Sequence, residues 1–275
     1  MDKDLKIPNV VYIGNCAYDI NTFPKKRNGE AETRTNTGGA CLYSAIPASN
    51  FYRVGIVSKV GDDFRVSDLQ DFDIDFSGLK VLENEKSTRF YHEFITNDGQ
   101  IRELREEINP KMLVGGDDIP ELFFKTKHIH LTTNAPEIQL ELIKKLRQKS
   151  DAIISVDTIL EYSRNDKVKN VFDLADIAFI DKEFSNLLDC KAKTKIIKLG
   201  KIGCKYISDD KNFTISAAVT EDVVDKTGAG DCLNGVFINL LANGHSEKDA
   251  LEKAVEMATL SIKEYGILHM KDKEL

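Results

Sequence analysis

The sequence predicts an α/β protein with a mostly parallel sheet, helices on both faces of that sheet, and a small β flap outside it. Short apolar runs, many of them β-branched, alternate with helical patterns along the 275 residues. This alternation is typical of parallel strands joined by helices. One pair of polar, alternating runs interrupts the rhythm and predicts the flap. Because no internal repeat or linker divides the chain, we expect a single domain over residues 1–275.

The individual elements follow from periodicity and capping signals. Residues 137–148 form an amphipathic helical pattern, and the capping-box spacing that begins at Ser246 opens another helix. Residues 204–208 and 213–217 form a late hairpin pattern. The apolar runs predicted to form the central sheet are residues 10–13, 54–58, 128–132, 152–157, 177–180 and 195–199.

The flap is predicted from residues 90–96 and 100–105, which alternate around the turn sequence Asn97-Asp98-Gly99. Its charged side chains make it too polar for a central strand. Arg89 and Arg102 either grip an anionic substrate or only solvate the flap, which is the commoner role of exposed arginines. The apolar face of the flap must pack on neighbouring strands or, in a homodimer, on the flap of a second subunit.

Composition narrows the partners and the compartment. The formal net charge of −7 disfavours nucleic acid, whose phosphates attract basic surfaces. The charged first residues lack the apolar core of a signal peptide, and no apolar run is long enough to span a bilayer, so we expect no membrane association. Five scattered cysteines without a Cys-x-x-Cys pair indicate reduced thiols in a cytoplasmic protein.

The most informative motif is Asp225-Lys226-Thr227-Gly228-Ala229-Gly230-Asp231, which joins an apolar run to an amphipathic helix. A Gly-Ala-Gly turn before a helix can direct backbone N–H groups and the positive end of the helix dipole at a bound anion. A carboxylate repels phosphate, so Asp231 calls for another role. The motif therefore predicts a general base that takes the proton of a hydroxyl attacking a phosphoryl group.

Three commoner motifs share parts of this pattern. Asp is a favoured helix N-cap, and for an isolated Gly-x-Gly-Asp a simple cap is the more frequent role. The dinucleotide-binding fingerprint lacks its third glycine, because Leu233 stands there. No Gly-x-x-x-x-Gly-Lys-Ser/Thr sequence occurs, which excludes a P-loop.

Four motifs in the same order resemble the ribokinase-like (PfkB-type) carbohydrate kinase family. Residues 225–231 resemble its Asp-Thr-x-Gly-Ala-Gly-Asp signature, and residues 38–45, which begin Gly38-Gly39, resemble its Gly-Gly substrate motif. Val60-Gly61-Asp62-Asp63-Phe64 and Leu199-Gly200-Lys201-Ile202-Gly203 match further landmarks. The resemblance covers the whole chain and implies a ribokinase-like three-layer sandwich.

The resemblance implies a small β lid at about residues 16–36 and 85–107. It also implies transfer of the ATP γ-phosphoryl group to a hydroxyl of a sugar, cyclitol or nucleoside, with magnesium and, in many members, potassium. The resemblance implies that Asp231 is the base and that Gly228, Ala229 and Gly230 form the anion hole. The residues implied to bind the acceptor are Asp19, Gly38, Gly39, Tyr43 and Arg89, and those on the nucleotide side are Gly200, Gly203, Lys198 and Glu183. A monovalent cation would be bound by Asp225 and Thr227.

The chain departs from the family pattern at several positions. Lys226 and Lys198 stand where threonine is usual, and Ile180 replaces the Asn of the Asn-x-x-Glu motif whose Glu183 would organise magnesium through water. Tyr43 and the flap start Thr88-Arg89-Phe90 resemble myo-inositol kinase-like members. These departures leave open two alternatives. One is a catalytically silent nucleotide- or sugar-binding regulator on the same fold; the other is a phosphosugar kinase using Arg89, Arg102 or Arg164.

Overall fold

The computed structural model describes residues 7–24, 31–94, 101–220 and 222–273, without the side chains of residues 101–104. The turn 97–99 of the predicted flap lies outside these residues. The strands of the described part are β1 (Val10–Ile13), β2 (Ala17–Phe23), β3 (Glu32–Gly38), β4 (Val54–Gly61), β5 (Ile74–Leu82), β6 (Arg89–Phe94), β7 (Ile101–Glu107), β8 (His128–Leu131), β9 (Ile153–Val156), β10 (Ile177–Asp181), β11 (Thr194–Lys198), β12 (Gly203–Ile207) and β13 (Asn212–Ser216).

The main sheet has nine strands in the order β13-β12-β11-β10-β9-β8-β1-β4-β5. The strands from β11 to the β5 edge, in the order β11-β10-β9-β8-β1-β4-β5, pair in parallel. The late hairpin β12–β13 pairs with β11 in antiparallel fashion. The sheet is therefore mostly parallel, as predicted. All six predicted central runs form strands. Strand β5 has no counterpart among the predicted runs, because it begins at Ile74 within the acidic run of residues 71–75.

The α-helices of the described part are α1 (Ala40–Ser49), α2 (Pro136–Lys149), α3 (Leu160–Ser163), α4 (Asp166–Leu174), α5 (Ala229–Ala242) and α6 (Glu247–Ser261). One face of the main sheet packs against α1, α5 and α6 through a continuous apolar cluster, and the other packs against α2 and α4. Helices thus cover both faces, which confirms the three-layer sandwich. None of the described helices is long and apolar enough to cross a membrane.

A second, four-stranded sheet in the order β3-β2-β6-β7 forms the lid. The β2–β3 and β6–β7 pairs are antiparallel, whereas β2 and β6 pair in parallel. The Phe23 ring stacks on Phe94 at 5.1 Å and meets Tyr265 edge-on at 4.7 Å, so part of the apolar lid surface packs within this chain. Packing on a second subunit stays a prediction.

Candidate active site

A cavity of about 470 Å³ lies between the lid and the main sheet. Its base comes from loops that follow β1, β8 and β9, from the starts of α1 and α5, and from Asp19 of the lid strand β2. Ligand sites of parallel α/β sheets form at this edge, where the carboxyl ends of the strands meet. The lid contributes Phe90, His92 and Phe94 from β6 and Glu106 from β7. Of the predicted site residues, the cavity brings together Asp19, Gly39, Tyr43, Thr227, Gly228 and Asp231.

The turn before α5 is built around Gly228. Its φ of 72° lies in the left-handed region, and a Cβ there would meet the Tyr43 ring at 2.1 Å. Only glycine combines this backbone conformation with such a close approach. The backbone N–H of Cys232 then donates to the Gly228 carbonyl at 2.8 Å and starts the helix. The Ala229 N–H donates to the Lys226 carbonyl at 3.2 Å and closes the turn, so that Gly228 and the start of α5 lie at the cavity.

Asp231 lies in the first turn of α5 and lines the cavity. Its Oδ1 atom is buried and accepts no hydrogen bond from the described residues. Burial raises the pKa of its carboxyl well above the usual range, and Asp157 raises it further, while Lys198 lowers it. An unpaired carboxylate with a raised proton affinity has the properties of a general base.

The predicted acceptor side of the cavity is centred on Asp19 in β2. Its Oδ2 accepts a hydrogen bond from the Gly39 backbone N–H at 3.2 Å. A Cβ on Gly38 would meet that oxygen at 2.0 Å and the Tyr43 hydroxyl at 3.0 Å, so the glycine lets both groups approach. Burial raises the pKa of Asp19 to about 7, although Tyr43 and the Gly39 N–H each lower it.

Asp225 and Thr227 brace the turn. Thr227 donates to Asp225 Oδ1 from its backbone N–H at 2.9 Å and from its hydroxyl at 2.6 Å. The Gly266 N–H and the Asn21 amide donate to Oδ2 at 3.2 and 3.5 Å. Because protein donors already engage both oxygens, this carboxylate fits a bracing role better than potassium binding, and a monovalent cation here stays a prediction.

The structure places the predicted nucleotide-side residues in different environments. Gly200 opens an exposed 3₁₀ turn after β11, and Gly203 has a φ of 114° where a Cβ would meet the Ile215 carbonyl at 2.0 Å. Lys198, also predicted there, is buried and paired with Asp157. Glu183 is exposed and lies 3.7 Å from Lys182 Nζ, outside the residues that line the cavity.

The magnesium-organising motif does not fit these positions. Ile180 is an apolar, buried residue, and the Glu183 carboxylate lies 3.7 Å from the Lys182 ammonium. Within the described ranges, no group of three or more His, Cys, Asp or Glu side chains could hold a metal ion. We therefore derive no step through residues 180 and 183.

The structure also does not bring Arg89 to the cavity lining. Its guanidinium contacts Asp63 Oδ2 at 2.6 Å and the Ser87 carbonyl at 3.2 Å. Ser87 and Arg89 hold the pKa of Asp63 below its usual value, although partial burial raises it. Arg89 thus fastens the lid to the loop after β4. Arg164 is likewise outside the lining, and the Arg102 side chain is outside the described residues.

Several functional residues were missed by the sequence reasoning. Asn134 follows β8, is buried and lines the cavity, and its Nδ2 has no described hydrogen-bond partner. Asp157 follows β9 and lies beneath the site. Both occupy carboxyl ends of parallel strands, which is the signal that could have found them. The apolar walls, which include Phe90 and Tyr162, gave no such signal.

Comparisons with known proteins agree with this geometry. The model of the pfkB family of carbohydrate kinases matches residues 8–273. The chain is 26% identical to the cytidine kinase of Thermococcus kodakarensis, over 94% of this chain and 97% of that protein. Its fold resembles the nucleoside kinase of Burkholderia thailandensis in complex with ADP–inosine, with a TM-score of 0.82, 15% identity and 95% and 91% coverage. The fold also resembles a putative ribokinase II of E. coli in complex with ATP and Mg²⁺. The TM-score is 0.80, the sequence identity is 20%, and the match covers 96% of each chain.

Proposed function

The chain belongs to the pfkB family of carbohydrate kinases, and on that premise we propose that it transfers the γ-phosphoryl group of ATP to a hydroxyl of a nucleoside. Family membership makes it a phosphotransferase with an alcohol acceptor. The observation that carries the proposal is the position of Asp231: a carboxylate whose buried Oδ1 has no hydrogen-bond partner among the described residues, beside the Gly228–Gly230 turn at the base of an acceptor-sized cavity.

The proposed step uses the groups of the cavity base. Asp19 accepts a hydrogen bond from an acceptor hydroxyl and holds the acceptor in place. Asp231 takes the proton of the attacking hydroxyl as its oxygen bonds to the γ-phosphorus. The bond to the bridging oxygen breaks, and ADP leaves with that electron pair. The Gly228–Gly230 amides stabilise the charge of the migrating group. Magnesium bound with the nucleotide would neutralise phosphate charge.

The shape of the cavity supports a nucleoside over a free sugar or a cyclitol. Its volume lies in the range of sites for drug-sized ligands, which exceed one sugar ring. Phe90 and Tyr162 supply aromatic faces on which a base can stack, while Asp19 and Asn134 supply polar groups for hydroxyls. The curated relatives named cytidine kinase and nucleoside kinase agree with this choice.

The positions of the arginines disfavour the phosphosugar alternative. Arg89 and Arg164, which were expected to bind a substrate phosphate, lie outside the residues that line the cavity, and Arg89 is paired with Asp63. The silent-regulator alternative leaves Asp231 without a purpose, since an unpaired buried carboxylate is unfavourable for stability unless it is used.

Turnover with an acceptor panel tests both parts. The panel contains nucleosides, free sugars, cyclitols and phosphosugars, and we expect the highest kcat/KM with a nucleoside. Asp231→Asn should lower kcat by about 10²–10⁴-fold, as loss of a general base does, while ATP binding is kept. Asp249→Asn, in the first turn of α6, is the matched control. If Asp231→Asn retains wild-type turnover, the base assignment is wrong; if a phosphosugar is preferred, only the acceptor assignment is wrong.

A further inference from the structure

Lys198 belongs to a buried charge cluster beneath the Gly228–Gly230 turn. Its Nζ contacts both oxygens of Asp157, at 3.0 and 2.8 Å, and Asp181 Oδ2 at 3.4 Å. Only 10% of the Lys198 side chain and 3% of the Asp157 side chain are exposed. The Asn234 amide of α5 donates to Asp157 Oδ2 at 2.6 Å and ties the cluster to the helix.

The lysine in this cluster is charged. Burial alone lowers the pKa of its ammonium, but Asp157 and Asp181 outweigh burial and raise the pKa above the usual range. The neighbouring His130 is neutral, because burial and the charge of Lys198 lower its pKa to about 3. Lys198 therefore adds one fixed positive charge next to the carboxylates of Asp157, Asp181 and Asp231.

The position of this charge does not favour stability. The Lys198 Nζ lies 3.3 Å from the point that a Cβ on Gly230 would occupy, in the first turn of α5. A cation near a helix N-terminus opposes the helix dipole, which favours anions there. Burying a lysine and a carboxylate together also rarely improves stability over apolar residues of the same size. The arrangement becomes favourable when an anion arrives at the turn.

We infer that Lys198 is a positioning residue for phosphoryl transfer, because its fixed charge offsets the negative charge that gathers at Asp231 and at the turn during the step. The inference rests on the proposed role of Asp231 as base. It gives a reason for a lysine where related sequences usually carry threonine. It also explains Gly230, where a side chain would crowd the ammonium.

The sign of the effect follows from the groups that face Asp231. The carboxylates of Asp157, Asp181 and Asp19 raise its pKa, and Lys198 lowers it. The other titratable neighbours are the side chains of Cys41 and Tyr43 in α1 and of Cys232, whose raised pKa values keep them neutral, together with Lys226 on the cavity lining. Removing the Lys198 charge must raise the pKa of Asp231, and removing a carboxylate must lower it.

Two substitutions should therefore move the pH profile in opposite directions. In Lys198→Met, the ascending limb of kcat/KM against pH should shift to higher pH by about one unit, the low end for loss of a nearby opposite charge. The kcat at neutral pH should fall roughly tenfold or more, short of the loss of an oxyanion-hole donor. Asp181→Asn should shift the limb to lower pH. Lys198→Arg should keep the wild-type profile.

The matched control is Arg147→Met. Arg147 Nη2 pairs with Asp176 Oδ2 at 2.8 Å, before the first residue of β10, whereas Lys198 pairs with Asp181, the last residue of that strand. Its loss should lower the melting temperature without moving the limb. If Lys198→Met does not fold, Lys198→Gln is measured instead; it removes the charge but keeps a hydrogen-bond donor for Asp157, and the limb should again shift to higher pH.

The outcomes separate this inference from the proposed function. If the pH limb does not move in a folded Lys198 variant while Asp231→Asn is inactive, Lys198 is a purely structural residue. That result overturns the inference but leaves the proposed function in place. An active Asp231→Asn removes the base, and the inference with it. Opposite limb shifts in Lys198→Met and Asp181→Asn, with Arg147→Met unchanged, support the inference.

Discussion

The base of the cavity and its lid wall are built in opposite ways. At the base, Asp19 and Tyr43 are almost fully buried, and glycines bring the backbone into close contact with both side chains. On the lid wall, Phe90 and His92 are only partly buried, and Glu106 is exposed. Buried, electrostatically expensive groups are typical of the chemical step, whereas accessible apolar groups select a ligand. Under the proposed function, we therefore expect the base to carry out catalysis and the lid wall to select the acceptor.

The two regions meet at a polar hinge. Asp63, in the loop after β4, binds Arg89 of the lid and the Ser87 hydroxyl, each through a short hydrogen bond. The Tyr18 hydroxyl donates to the Asp63 carbonyl at 2.8 Å and accepts from the Arg65 N–H at 2.9 Å. The lid is thus attached to the body by these hydrogen bonds and by the contact of the Phe23 ring with Tyr265.

Among the changes that compare the two regions, the largest expected effect is at the base, where Gly228→Ala should lower kcat by about 10²–10³-fold, as loss of an oxyanion-hole donor does. The new Cβ would enter the Tyr43 ring and force a positive φ on alanine. A Cβ on Gly230 would meet the Lys198 Nζ at 3.3 Å, a contact that a small shift relieves, so Gly230→Ala should lose less. Steady-state kinetics on both folded variants provide the test. If Gly228→Ala is as active as Gly230→Ala, the close packing of the base around Gly228 is not required for catalysis.

The sequence predicted the base better than the wall, for a physical reason. The anion hole and Asp231 are contiguous, so their geometry follows from local turn and helix rules. The Lys198–Asp157 pair joins residues 41 positions apart, and no local pattern encodes it. Arg89 was expected at the acceptor because it is a charge on a polar flap, yet Asp63, 26 positions away, holds it at the hinge. Charges are visible in a sequence, but their partners are not.

The lid wall gives the next effect. Phe90→Ala should raise the nucleoside KM roughly 10- to 100-fold with little change in kcat, since stacking of one base on an aromatic ring contributes about 1–3 kcal/mol. Tyr91→Ala is the matched control, because successive strand residues face opposite sides and Tyr91 contacts Arg105 and Glu107 on the outer face. Equal KM changes in the two variants, or a fall in kcat alone, would contradict a wall that selects the acceptor.

The smallest effect is a pH dependence that arises at the base but is seen in acceptor binding. Asp19 has a pKa of about 7 in the free protein, and its ionised form is the better acceptor of hydrogen bonds from substrate hydroxyls. The proton is lost as the pH rises, so affinity must increase from pH 6 to pH 8, by about tenfold for a single group with this pKa. Calorimetric Kd values for the nucleoside without ATP keep the ionisation of the phosphates out of the measurement. Asp19→Asn should bind more weakly and with a flat profile. A wild-type Kd that is constant across this range, or an unchanged slope in Asp19→Asn, would show that Asp19 does not hold the acceptor, and the separation of base from wall would then rest on Asp231 alone.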